Sequence, residues 1–292
     1  MKKEMIIMLV ICLLFLVSGQ AGCEIGGGGG AANKYGLDFT LVSGLEYLST
    51  GKVLQQGDSF YVVVQIENFD LVERSGQVCI LDDIHDAFGG ISSQGSGECK
   101  GFVVKSAEIA NKIIPSVTKV YFPESSEYSY YNLPKSLNRP YSGKLYVSLK
   151  YTEQTKADGT VNVPGSGGIM LSQDPAPITI NAQSSINKKG DLYKLTLQFD
   201  FVKIQQAKFF SPDFSEENIT YLNIALPPQN LECVIPPSTP ISNRIEFQKQ
   251  KTIKCYTDIY STQPQAFPLI IQLDYGVEIT KIYPFSLSTE GY

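Results

Sequence analysis

Between Leu192 and Val202 polar and apolar side chains alternate without a break. Tyr193, Leu195, Leu197, Phe199 and Phe201 fall on one side, and Lys194, Thr196, Gln198 and Asp200 on the other. A period of two is the geometry of a strand with one face dry and one face wet, and a helix would scatter these residues around its axis. A chain built from such strands must bury each apolar face against another layer, which points to antiparallel sheets packed face to face. The same pattern recurs at Asp38–Val42, Ser59–Glu67, Gly76–Leu81, Val117–Phe122 and Lys144–Tyr151. It resumes at Ile178–Ala182, Tyr221–Leu226, Leu231–Ile235, Thr252–Thr257 and Leu269–Tyr275. Gly, Pro, Asn and Asp separate the runs, as turns require. The stretch Lys105–Ile113 is expected to form a short helical turn, and nothing longer is helical.

Val163–Pro177 is rich in Pro, Gly and Ser and reads as a linker or crossing strand. Each flanking half carries about seven strand candidates. The expected fold is therefore all-β, with two tandem Ig-like antiparallel β-sandwich domains over 35–163 and 178–292, joined by a linker at 164–177. It is Ig-like rather than immunoglobulin, because the chain has no Trp to stand between the paired cysteines. Cys79 and Cys99 lie 20 residues apart in the first half, and Cys233 and Cys255 lie 22 apart in the second. Pairing within each half, Cys79 with Cys99 and Cys233 with Cys255, is expected if each half folds as a unit in an oxidising compartment.

The N-terminus says where the chain goes. Lys2 and Lys3 precede an apolar run from Met5 to Val17, and small residues follow up to Cys23. This is the order of a secretory signal over 1–22. Residues 23–34 contain an unbroken glycine run, Gly26–Gly30, which serves as a flexible tether. Ala21-Gly22-Cys23 resembles the end of a lipobox, after which prokaryotic lipoproteins are cut and lipidated on the new terminal Cys, although Gln20 stands where that pattern prefers Leu. Lipidation of Cys23, an uncleaved anchor helix and free secretion all remain open. Taken together, the leader, the tether and the β-rich body resemble prokaryotic surface lipoproteins, archaeal in character, with tandem Ig-like or S-layer-associated β-domains. The resemblance implies an exported chain on the outer face of the cell membrane, held there by an N-terminal lipid or helix.

Composition narrows the chemistry. With 24 Lys and Arg against 29 Asp and Glu, the chain carries a net charge of -5 and has no long basic run, so nucleic acid is not its partner. His85 is the only histidine, and no nucleophile elbow accompanies it. It reads as a surface loop residue. No cofactor motif is present, and the glycine run lacks the setting of a phosphate loop. Asp82, Asp83 and Asp86 could offer oxygens to Ca²⁺ in a flexible loop, but their spacing matches no EF-hand. Asn218-Ile219-Thr220 is a glycosylation sequon. Tyr128, Tyr130, Tyr131 and nearby Tyr141 form the most suggestive cluster, because exposed rings can stack on sugars or anchor a protein. The expected function is a non-enzymatic, membrane-anchored surface protein with an adhesive, envelope-structural or binding role, its partner an unknown surface protein or glycan. A carbohydrate- or solute-binding lipoprotein is the alternative. An envelope enzyme of glycosidase type is the next, favoured by a deep cleft with two facing carboxylates.

Overall fold

In the computed structural model two strands run far longer than the periodicity suggests. β6 (Tyr141–Val163) and β12 (Gln265–Ser288) pair antiparallel from Tyr141↔Leu287 to Val163↔Gln265. The structure describes residues 36–43, 53–91, 95, 97–110, 113–124, 126–133, 140–165, 167–174, 176–203, 207–261 and 263–289. The expected signal at 1–22, Cys23 and the expected tether at 23–34 lie outside them.

The other main strands are β1 (Leu37–Ser43), β2 (Val62–Asn68), β3 (Arg74–Asp82), β4 (Glu98–Val104) and β5 (Ser116–Phe122). After β6 come β7 (Ile178–Lys189), β8 (Leu192–Lys203), β9 (Ile219–Ala225), β10 (Glu232–Ile235) and β11 (Gln250–Tyr260). Three sheets carry the fold. A nine-stranded sheet has the order 244–246, β9, β12, β6, β3, β4, with short strands at 53–55, 171–173 and 208–210 along its long members. A three-stranded sheet has the order β1-β2-β5. A six-stranded sheet runs 167–169, β7, β8, β11, β10, 239–240. The described fold is all-β and its sheets are antiparallel, apart from the parallel pairing of Val53–Gln55 with β12.

Strands usually span 3 to 10 residues because one packing partner is about that long. β6 has 23 residues and β12 has 24, and both keep the same face inward from end to end. Leu145, Val147, Leu149 and Tyr151 are buried on β6 alongside Leu37, Phe39, Val64 and Ile66 of the three-stranded sheet. Farther along, Ala157, Val161 and Val163 are buried in the same core as Leu195, Leu197 and Phe199 of the six-stranded sheet. One ribbon thus floors two sandwiches in succession.

This corrects the expected division at 164–177. Residues 35–292 form one unit. β12 starts in the second sandwich and returns to the first, where Gln56 N donates to Ser288 O at 2.8 Å. β12 thus serves both, pairing with β9 nearer its start and with Val53–Gln55 at its end. The supposed linker holds two short strands, Gly167–Ile169 and Leu171–Gln173, which pair with β7 and β6. The expected helical turn at 105–113 is instead a hairpin, with Ile109 opposite Ile113.

Both disulfides form as the spacing suggested. Cys79 faces Cys99 across β3 and β4, and Cys233 faces Cys255 across β10 and β11, each with Cα atoms 4.0 Å apart. Each sandwich keeps one bridge, because both pairs join neighbours in a single sheet.

The shared ribbon makes a definite prediction for fragments. Residues 178–292 expressed alone lack β6, so the inner edge of β12 loses its hydrogen-bonding partner. This fragment is expected to show no cooperative urea transition, whereas 35–292 unfolds cooperatively. A sharp transition for 178–292 would restore the tandem division.

Candidate binding face

The tyrosine cluster does not form the expected exposed patch. Tyr130 is 1% exposed, with its ring against Phe60 and Phe285 at 5.4 and 5.7 Å. Gly90 has φ 80° and lies so close that a Cβ there would sit 2.0 Å from the Tyr130 ring, which accounts for glycine at that position. Tyr128 is half-buried against Phe60 and donates to Glu98. Tyr141 packs edge-on against Phe88. Of the four, Tyr131 is exposed, at 51%. The run Tyr128–Tyr131 alternates like a strand, so the rings at 128 and 130 turn inward and the one at 131 turns out.

Asp82, Asp83 and Asp86 do not converge either. Asp82 is buried, accepting from Ile84 N at 3.0 Å on Oδ1, and from Ile91 N at 3.0 Å and the Tyr130 hydroxyl at 2.6 Å on Oδ2. Burial pushes its carboxyl up to about 6. Asp83 points outward and accepts from Lys144 N at 2.6 Å. Among the described residues no group of three acidic, His or Cys side chains could hold a metal ion. Asp82 instead folds the 83–91 loop onto the core. His85 is exposed, and its Nδ1 accepts from Ala87 N at 3.1 Å at the start of a 3₁₀ turn. Asn218 is partly exposed with φ 60°, while Thr220 of its sequon is fully buried.

Two carboxylates do face one another, but inside the protein. Where β6 passes from one sandwich to the other, Glu153 is 4% and Asp70 8% exposed. Arg74 bridges them, donating from Nε to Asp70 at 2.8 Å and from Nη2 to Glu153. Tyr151 lies on the same strand, its hydroxyl accepting from Leu37 N at 3.4 Å. No donor reaches Glu153 Oε2. Burial first, and then the charge of Asp70, outweigh Arg74 and raise the Glu153 carboxyl to about 8. The cluster ties the two sandwiches to the start of β1 and offers no opening to a substrate.

The exposed chemistry lies on the outer face of the six-stranded sheet. The register of β7, β8 and β11 sets polar side chains in cross-strand rows: Ser185, Thr196 and Tyr256, then Asn187, Lys194 and Asp258. These two rows line an open depression of about 400 Å³. A further row sets Asp200 between Asn181 and Thr252, with the Thr252 hydroxyl donating to Asp200 at 2.6 Å. Tyr256 is 41% and Tyr260 76% exposed, on the same face of β11. Four residues of strand separate them by roughly 13 Å. Sequence reading missed both rings. Its strand ended at Thr257, one turn of the alternation short of Tyr260. The signal was present, since Ile253, Cys255 and Ile259 turn inward and leave Tyr256, Asp258 and Tyr260 outside.

Two expectations follow. Tyr130→Ala should destabilise the fold by about 3–5 kcal/mol, as loss of a fully buried large ring does, read as a fall in the urea midpoint. For Glu153, a folded carboxyl raised above its ordinary 4.5 gives stability that is complete below pH 4.5 and lost as pH rises towards 8. Asp82 acts in the same direction between 3.8 and about 6. Urea midpoints of the parent should therefore fall between pH 5 and 8, and Glu153→Gln should flatten that profile. An equally steep profile in the variant would remove Glu153 as the cause.

No family model matches the chain, and no curated protein matches it.

Proposed function

We propose that this chain is a membrane-anchored surface protein that binds glycans without catalysis, through the outer face of its six-stranded sheet. The observation that carries the reading is the pair of exposed rings, Tyr256 and Tyr260, flanking Asp258 beside the polar depression. A sugar presents apolar C–H faces and a ring of hydroxyls. Tyr rings stack on the first, and the Asn187 amide, Lys194 ammonium and Asp258 carboxylate match the second. The site is open and shallow, which suits an extended chain lying along the strands better than a small molecule enclosed on all sides. Rigid strands hold the side chains in place, so little order is lost on binding. The leader and tether at residues 1–34 support display of this face outside the cell.

The test is a glycan array probed with the purified full chain, followed by titration of the best ligand. Tyr256→Ala and Tyr260→Ala should each weaken binding about tenfold, on the order of 1.4 kcal/mol. Tyr131→Ala, on the other sandwich, should leave affinity unchanged. Cleavage of any bound glycan, or binding indifferent to both Tyr changes, would defeat the reading.

A further inference from the structure

Five exposed aliphatic side chains lie together at one corner of the first sandwich. Leu71 and Val72 are 54% and 52% exposed on the loop between β2 and β3. Ile109, Ile113 and Ile114 are 70%, 42% and 43% exposed on the small hairpin that follows β4. The two loops are locked together. Asn68 Nδ2 donates to the carbonyls of both Val72 and Lys105 at 2.8 Å, and Ala107 N donates to Asp70 O at 2.7 Å. Ser116 Oγ closes the hairpin on Ser106 O at 2.6 Å. Neighbouring isoleucines and leucine held out in water on preformed loops mark a contact surface.

What covers them is indicated by where the chain comes from. Gly36, the first described residue, is bonded to that same loop. Its N donates to Asp70 Oδ1 at 3.1 Å, and its carbonyl accepts from Phe69 N at 3.0 Å. The residues before it lead back through the glycine run to the apolar stretch Met5–Val17. By random-coil scaling, a glycine-rich span from Cys23 to Gly36 reaches roughly 20 Å. We infer that Leu71, Val72, Ile109, Ile113 and Ile114 rest in the interface of the lipid bilayer that holds the N-terminus. This inference depends on the anchored reading of residues 1–34.

The tether keeps the patch beside the bilayer at high effective concentration, so a weak apolar contact suffices. It also adds the second signal that a single reversible lipid needs for stable anchoring. Among the described residues, Lys105, Glu73 and Glu108 are exposed around the patch and give it no net positive charge. The contact therefore draws on apolar side chains rather than on anionic lipid.

The chain has no Trp, so one introduced indole reports alone. The full chain carrying Val72→Trp, Ile109→Trp or Tyr260→Trp is reconstituted into phosphatidylcholine vesicles with brominated acyl chains. The reporters at 72 and 109 should lose emission and shift to the blue, and the one at 260 should stay aqueous. Adding Ile109→Asp with Ile114→Asp to the Val72→Trp chain should restore its emission. Vesicles that float with the protein while the reporters at 72 and 109 stay unquenched would overturn the inference and leave the anchor standing. A blue shift without bromine quenching would mean that protein covers the patch, and would also overturn it. Failure to float with the vesicles at all would overturn both readings.

Discussion

The antiparallel pairing of β6 with β12 is the interaction on which the other elements depend. Each strand satisfies the backbone of the other from Tyr141 to Val163, and each keeps one face inward throughout. Such a ribbon presents a dry floor too long for a single opposing sheet. The three-stranded sheet covers one stretch and the six-stranded sheet the next. The remaining strands attach to its edges, β3 and β4 beyond β6 at one end, and β9 beyond β12 at the other.

The passage between the two floors is the hard place in this design. The inward positions of β6 there are Glu153 and Thr155, and neither is apolar. Thr155 shares a hydrogen bond with the Tyr275 hydroxyl at 2.7 Å. Glu153 is held by Arg74 and faces Asp70. An unpaired charge at that depth would cost several kcal/mol, and Arg74 offsets it by bonding both acids at once. The same cluster receives the start of β1, through Gly36 on Asp70 and Leu37 on Tyr151. Gly36 is thereby fixed to the fold, and the exposed leucine and isoleucines sit on the loops beside it.

The outer faces divide the remaining work. On the six-stranded sheet, cross-strand register turns isolated polar residues into rows, and the rows into a depression flanked by two rings. On the first sandwich, the loops between strands carry the apolar residues. Neither feature calls for catalytic groups, and the buried acids serve the joint between the sandwiches.

Local pattern was enough for much of this. The alternation in Leu192–Val202 named the inner and outer faces of β8, and Lys194 and Asp200 stand where it put them. Cysteines about twenty residues apart on adjacent runs found their partners, because sheet neighbours close in sequence meet without long loops. The pattern failed where its apolar half was missing. Residues 152–162 read as no strand, since the inward places hold Glu153, Thr155, Ala157 and Gly159, and the expected domain boundary falls just after them. The tyrosines at 128–131 drew attention by number, yet alternation sends Tyr130 into the core. The all-β class, the strand faces and the local disulfides are legible in the residues alone, because these depend on neighbours one or two residues away or on the adjacent run. The tertiary structure alone decided that one ribbon serves two sandwiches, which tyrosines face water and what satisfies the buried acids. Those outcomes rest on contacts between residues far apart in the chain, 79 positions for Arg74 with Glu153 and over a hundred along β6 and β12, whose register no local periodicity encodes.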